Sequence, residues 1–278
     1  SACLNTAMIC ASLYRPFFIK NLLRYLAEKI LLLNTTNFRG DYRGDGTLNE
    51  VVAASCEAVS GNEKLPFAFG LLPLGSANDF AHGIGLNPTD ISESLWIAAT
   101  GETKTTDLGQ VNGRVFVNVA TGGFGTRVTT ETDPKLKNLL GGAAYLFTGL
   151  HRFSELAACS GRVEAEGFSW EGDFVALAIG NGRQAGGGVQ LCPDAVLDDG
   201  LLDVTIIPYP KPGEMSDLLK HLVEFGLEGL RDRVIMAQLA ELVLETEKPL
   251  QINLDGEPIH ETRLEFSTLS GGIYFRRP

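Results

Sequence analysis

The chain changes texture near residue 105, and that change limits the folds open to it. Before it, apolar strand-like runs alternate with helical patterns: a helix following Thr47, a strand at 67–72, and helices near 78–82 and 91–99. Strand and helix in alternation predict a parallel sheet covered by helices. After it, short β-rich runs dominate, at 115–120, 162–166, 174–179, 201–207, 242–245, 250–254 and 273–275. Helical stretches at 135–153 and 212–231 interrupt them. Such a run predicts an antiparallel sandwich or barrel. The expected division is an α/β domain over 1–105 and a mainly-β domain over 106–278. A cleft between two such lobes is a common ligand site.

Composition narrows the function classes. With 278 residues and 44% hydrophobic content, the chain has ample core for this plan. A net charge of −11 argues against a nucleic-acid groove and gives no general attraction to anionic membranes. The five cysteines, at 3, 10, 56, 159 and 192, include no C-x-x-C pair, and the four histidines form no H-x-x-x-H pair. They read as reduced cytosolic thiols, without a zinc site. No apolar run reaches the ~18 residues of a membrane span. Residues 17–33 are broken at helical spacing by Lys20, Arg24, Glu28 and Lys29, as in an amphipathic helix packed on a core. No secretory signal pattern is present. The expected location is cytoplasmic.

Five constellations could carry chemistry. Gly44-Asp45-Gly46-Thr47-Leu48-Asn49-Glu50 runs from a flexible loop into a helix start. Thr47 with Glu50 three positions on reads as a capping box. A loop that ends on a helix N-terminus aims backbone N–H groups and a positive dipole end at one point, which suits a phosphate. An ordinary turn explains the same residues. The second constellation, residues 71–81, repeats the design, with Ser76 and Asp79 as a second capping-box-like pair. In a parallel sheet both loops would share the carboxyl edge. Residues 179–188 hold a G-x-G-x-x-A pattern, but three glycines and then Pro193 follow instead of a helix. A glycine-lined cleft wall fits better than a dinucleotide fingerprint. Asp194, Asp198, Asp199 and Asp203 flank Gly200, offering either oxygen ligands for a hard cation or a solvated turn. Leu254-Asp255-Gly256-Glu257-Pro258 is a tight turn that either closes a hairpin or presents carboxylates, with Glu257 as a general base.

Read in series, six blocks resemble the diacylglycerol kinase catalytic family, and most closely its bacterial YegS-like lipid kinases. They are GDGTLNEV at 44–51, LLPLGSANDFA at 71–81, NVATGGFGTR at 118–127, IGNGRQAGGGVQLCP at 179–193, LDDGLLDV at 197–204 and NLDGEP at 253–258. The resemblance implies a Rossmann-like N-terminal lobe, a β-sandwich C-terminal lobe and a cleft between them. It implies an ATP-dependent kinase that phosphorylates a lipid hydroxyl, on a diacylglycerol- or phosphatidylglycerol-like substrate at a membrane surface. By motif match, Thr36, Arg43, Gly44, Asp45, Gly46, Thr47, Leu48, Asn49 and Ser76 would contact ATP. A structural metal, Mg²⁺ with Ca²⁺ as the alternative, would be held by Asp199 and the carbonyls of Val196 and Leu201. Glu257 would accept the proton of the lipid hydroxyl, and Asp255 would be a supporting acid.

Two departures accompany the resemblance. Arg43 stands where the family has a first glycine, a position costly for arginine if it needs a positive φ. Only Tyr42 and Arg43 separate Asp41 from Gly44, so roughly 20 residues of helix and strand are missing there, by typical element lengths. The nucleotide domain is therefore expected to be shortened near 42–43. Two rival readings follow: a catalytically impaired nucleotide- or lipid-binding regulatory homologue, and a soluble-substrate kinase resembling an NAD kinase.

Overall fold

The computed structural model describes residues 45–58, 65, 67–75, 77–123, 158–211, 214 and 232–278. Thr36, Arg43, Gly44 and Ser76 lie outside the described residues, as do almost all of the helical stretches expected at 135–153 and 212–231.

The described chain is strand-rich, with a C-terminal β domain. Helix α1 (Asp45–Ala58) precedes the two-residue strand β1 (Ala68–Phe69), the short helix α2 (Asp79–Gly83) and helix α3 (Ile91–Thr100). Strands then follow: β2 (Glu102–Val111), β3 (Arg114–Phe116), β4 (Val119–Gly123), β5 (Cys159–Ala165), β6 (Phe168–Gly180), β7 (Gln184–Ala185), β8 (Val189–Gln190), β9 (Leu202–Pro208), β10 (Ile235–Leu239), β11 (Glu241–Leu254) and β12 (Glu257–Arg277). Ten of these share one sheet, whose main path runs β10-β9-β6-β4-β11-β12-β2-β3. β5 joins it through β11 and β6.

Pairing is antiparallel throughout the described sheet except where β1 lies parallel to the end of β12, Ala68 opposite Tyr274 and Phe69 opposite Phe275. The antiparallel domain expected after residue 105 is thus present. Of the parallel sheet expected before it, the described residues show this pair, and residues 1–44 lie outside them. β2 crosses residue 105 and was not foreseen; Thr, Lys and Glu dominate its first half, hiding its pattern. The strands expected at 242–245 and 250–254 are one strand, β11, with a register shift between Glu245 and Leu250. The run expected at 115–120 is divided, because Val117 and Asn118 leave the ladder between β3 and β4.

Two apolar clusters hold this frame. One lies within the β domain, where Phe116, Phe174, Ile179, Leu244, Ile252 and Phe266 are buried. Alternation builds it: on β5, Val163 points inward between exposed Arg162 and Glu164. The other joins the helices to the sheet, through Leu48 and Val52 of α1, Phe80 of α2, Ile97 of α3, Phe69 of β1 and Phe275 of β12. The Phe80 and Phe275 rings meet edge to face at 5.3 Å, a favoured aromatic geometry. Gly109 is demanded by packing: a Cβ there would lie 2.1 Å from the ring of Phe116, its cross-strand partner.

Candidate active site

The β11–β12 connection is a two-residue turn. Asp255 (φ 49°) and Gly256 (φ 111°) both adopt positive φ, as a type I′ hairpin requires, and Asp-Gly is a sequence that tolerates it. Asn253 Oδ1 accepts from the Gly256 N–H at 2.6 Å and braces the turn. The Asp255 carboxylate faces the segment that leaves the ladder between β3 and β4. Its Oδ2 accepts from the N–H groups of Val117 (2.7 Å) and Asn118 (2.9 Å), and its Oδ1 from Val119 (2.9 Å). Burial pushes this carboxyl up to about 6; the three N–H bonds oppose the rise and the nearby Asp45 charge adds to it. Glu257, two residues on, opens β12 and is solvent-exposed.

Helix α1 begins at Asp45, two residues before Thr47. Thr47 therefore sits in the first turn, and the expected Thr47–Glu50 capping box does not mark the helix start. Asp45 caps a different helix. Its carboxylate accepts from the backbone N–H of Asp79 (3.0 Å) and Phe80 (2.9 Å), the first two residues of α2. Burial and the Asp79 charge raise its pKa against the pull of these bonds. Asn78 precedes α2 in a left-handed conformation (φ 53°), and its side chain closes back on Gly75 with two 2.8 Å bonds.

The capping-box-like pair expected at Ser76 and Asp79 falls partly outside the described residues, since Ser76 does. The Asp79 carboxylate reaches across to the β7–β8 hairpin, accepting from Gly188 N–H at 2.7 Å, Gly187 N–H at 2.9 Å and Gln184 Nε2 at 3.3 Å. The stretch 184–190 is thus a glycine-rich hairpin with no helix after it, in line with rejecting the dinucleotide fingerprint.

The two main motifs touch. A Cβ on Gly46 would lie 3.2 Å from the Asp255 carbonyl oxygen, so the start of α1 rests against the β11–β12 turn. Gly46 and Thr47 are half-buried there, Leu48 is in the core, and buried Asn49 leaves its Oδ1 without a hydrogen-bond partner among the described residues. The structure therefore brings Asp45, Gly46, Asp79 and Asp255 together, while Glu257 follows the turn in sequence and is exposed.

The acidic 194–203 segment contains the expected metal ligands. Asp199 is exposed and its Oδ1 accepts from Leu201 N–H at 3.0 Å; Val196 is exposed and Leu201 half-buried. No group of three His, Cys, Asp or Glu side chains forms a metal cluster among the described residues. One carboxylate plus main-chain carbonyls is nonetheless an all-oxygen donor set that suits a hard cation. Asp107 of β2, to which sequence reasoning gave no role, shapes this loop. Its carboxylate accepts from Gly200 N–H at 2.7 Å and from Gly271 N–H at 2.5 Å, the latter in the β12 bulge between Leu269 and Ile273. Its own N–H donates to the Leu197 carbonyl at 2.7 Å. Nearby Asp203 is pushed up to about 6 by burial and by the Asp199 and Asp194 charges.

Asn181 and Asn118 complete the scaffold. Buried Asn181 donates through Nδ2 to the Asp107 and Val117 carbonyls, both at 2.8 Å. Asn118 donates to the Gln184 carbonyl at 2.8 Å and accepts at its own carbonyl from the Asn181 and Gly182 N–H groups. The only sequence signal for Asp107 is an acid between Thr106 and Leu108 on a run otherwise suited to a buried strand.

Comparison with known proteins gives two matching family models. Residues 42–111 match a diacylglycerol kinase catalytic domain, and residues 118–273 match a YegS C-terminal domain described as NAD kinase β-sandwich-like. A protein of Pseudomonas fluorescens (strain Pf-5) named "Probable lipid kinase YegS-like" is 46% identical over 237 residues, covering 84% of this chain and 75% of its own. A Pseudomonas aeruginosa (strain PAO1) protein of the same name is 48% identical over 236 residues, covering 84% and 74%. Two solved chains from Bacillus anthracis strain Sterne align with TM-scores of 0.69 and 0.61, at 22% and 20% identity. Each covers 84% of this chain, with 76% and 74% of its own length aligned; the second is described as a diacylglycerol kinase.

Proposed function

The chain belongs to the diacylglycerol kinase catalytic family with a YegS-type C-terminal domain, and on that premise we propose that it is an ATP-dependent kinase of a lipid hydroxyl. The observation that supports this reading is the contact between the start of α1 at Gly46 and the Asp255–Gly256 turn, which the exposed Glu257 follows in sequence. We divide the chain near residue 105 into a Rossmann-like nucleotide lobe and a β-sandwich substrate lobe, with the reaction in the cleft between them.

Phosphoryl transfer needs alignment and charge stabilisation more than covalent help. Gly44 and residues 46–49, with Thr36, Arg43 and Ser76, hold the ATP phosphates. Asp45 is committed to the α2 backbone, so it acts by fixing that helix relative to the loop. Asp255 likewise holds the 117–119 segment and presents Glu257. The lipid hydroxyl oxygen forms the new bond to the γ-phosphorus as the bond to the β–γ bridging oxygen breaks. Glu257 takes the hydroxyl proton, and ADP leaves. Asp199 with the Val196 and Leu201 carbonyls would hold a divalent cation, Mg²⁺ or Ca²⁺, which supplies local charge compensation in an acidic chain. No helix among the described residues is long and apolar enough to cross a membrane. The enzyme works from the cytoplasm at the inner membrane surface.

Calorimetric titration with ATP, followed by transfer of labelled γ-phosphate to a panel of lipids in micelles, tests the reading. ATP binding with transfer to a diacylglycerol- or phosphatidylglycerol-like lipid is expected. Binding without transfer would make the chain a regulatory homologue. Transfer to NAD with none to lipid would make it a soluble-substrate kinase.

A further inference from the structure

A cavity of about 130 Å³ lies between α2 and the 195–198 loop, lined among others by Phe80, Gly83, Asn118, Arg183, Asp198 and Arg277. It is partly open to solvent and small beside the ~300–1,000 Å³ of pockets for drug-sized ligands. A nucleotide or an acyl chain is too large for it. A single tetrahedral anion is not.

The lining is cationic in a chain of net charge −11. It holds two guanidiniums and one carboxylate, and the exposed Arg183 also feels the charge of Asp203 just beyond it. Arg183 commits its Nε to the Ala195 carbonyl at 2.8 Å. Its two terminal amines make no hydrogen bond among the described residues. Arg277 is nearly buried, with 11% of its side chain exposed. One of its terminal amines serves the Thr105 carbonyl and, at 3.0 Å, Asp198. Its Nε is enclosed, so a ligand in the cavity would meet its terminal amines. Asp198 has 41% of its side chain exposed, so its pairing with Arg277 is a weak surface contact that an incoming anion can displace. Guanidinium forks match phosphate oxygens in geometry as well as charge.

We propose that this cavity is a binding site for a phosphate group, either inorganic phosphate or a phosphomonoester, separate from the phosphates of ATP. Phe80 and Gly83 belong to α2, whereas Arg183 and Asp198 belong to the β domain, so a bound phosphate would tie the two together. The site stands whatever the acceptor of the kinase reaction proves to be.

The test uses the full chain, wild type, Arg183→Gln and Gly83→Glu. The second variant adds a carboxylate at an exposed helix end, where a Cβ meets nothing within 4 Å. Binding of inorganic phosphate and of glycerol 3-phosphate is followed by calorimetry and thermal shift, and ATP binding is measured alongside. The expected result is saturable phosphate binding that weakens about tenfold in both variants while ATP affinity holds. A preference for inorganic phosphate would identify the free ion as the ligand; a preference for glycerol 3-phosphate would identify a phosphomonoester. Absence of saturable binding to wild type would overturn the assignment. So would equal binding in all three proteins, which would place the anion elsewhere, such as at the nucleotide loop.

Discussion

Asp45 and Asp79 act in series: the carboxylate of the first binds the backbone N–H of the second, whose own carboxylate binds the N–H groups of Gly187 and Gly188. The start of α1, the start of α2 and the β7–β8 hairpin are thereby fixed by two side chains. Asp45→Ala should cost about 1–2 kcal/mol, as loss of a helix cap does. Asp79→Ala should cost a similar amount. Because the two share α2, their effects should not add, and a double-mutant cycle by urea denaturation should give a coupling of at least ~0.5 kcal/mol.

Asp255 accepts three N–H bonds, and no neutral amide can replace it. In Asp255→Asn one oxygen becomes an NH₂ group that faces other donors. The loss should be about 1–3 kcal/mol in chemical denaturation, by the cost of buried donors left unpaired.

The same residue sets a pH dependence. Asp255 titrates near 6 when folded and Asp45 is also raised, both above the ordinary aspartate value of 3.8. The folded state therefore holds these protons more tightly than the unfolded chain. The stability this contributes is fully present below about pH 4 and is lost as pH rises through about 6. Differential scanning calorimetry across that window should show Tm falling with pH, and Asp255→Asn should flatten the fall.

Glu257 is exposed, so its loss should be felt in turnover and not in folding. Glu257→Gln should lower kcat by about 10²–10⁴, the usual worth of a general base, with ATP affinity unchanged. Its Tm should match wild type. A Tm drop equal to the activity loss would assign Glu257 to the turn and not to the chemistry.

Glycines 182 and 83 should respond in opposite ways to the same change. A Cβ on Gly182 would sit 1.9 Å from Asn118 Oδ1, whereas one on Gly83 meets nothing within 4 Å. Gly182→Ala should cost about 1–3 kcal/mol by overpacking. Gly83→Ala should stay within about 0.5 kcal/mol of wild type. Parallel melts of the two variants check this.

Local chemistry was legible in the sequence. The Asp255–Gly256 turn, the helix after Gly44 and the strand-rich second part all follow from short-range preferences that any chain would express. The partners of the acids were not legible. Asp45 lies 34 residues from Asp79, Asp79 lies 109 from Gly188, and Asp107 lies 164 from Gly271. A carboxylate that binds backbone N–H groups selects no partner side chain, so the partner leaves no mark in the sequence. Thr47 and Glu50 illustrate the opposite failure, a valid local signal overruled because the helix gains two further residues before it. β2 was missed for a related reason: its first half is charged and exposed, and becomes strand only through its pairing with β12.

The pairing of β1 with the end of β12 bears on the order in which a growing chain can take shape. Phe69 is made some two hundred residues before Phe275, its register partner and ring neighbour. Until residues 273–277 leave the ribosome, β1 lacks the partner strand it has among the described residues, and the aromatic cluster under α1, α2 and α3 is incomplete. The helical side of the molecule is thus translated early and finished late.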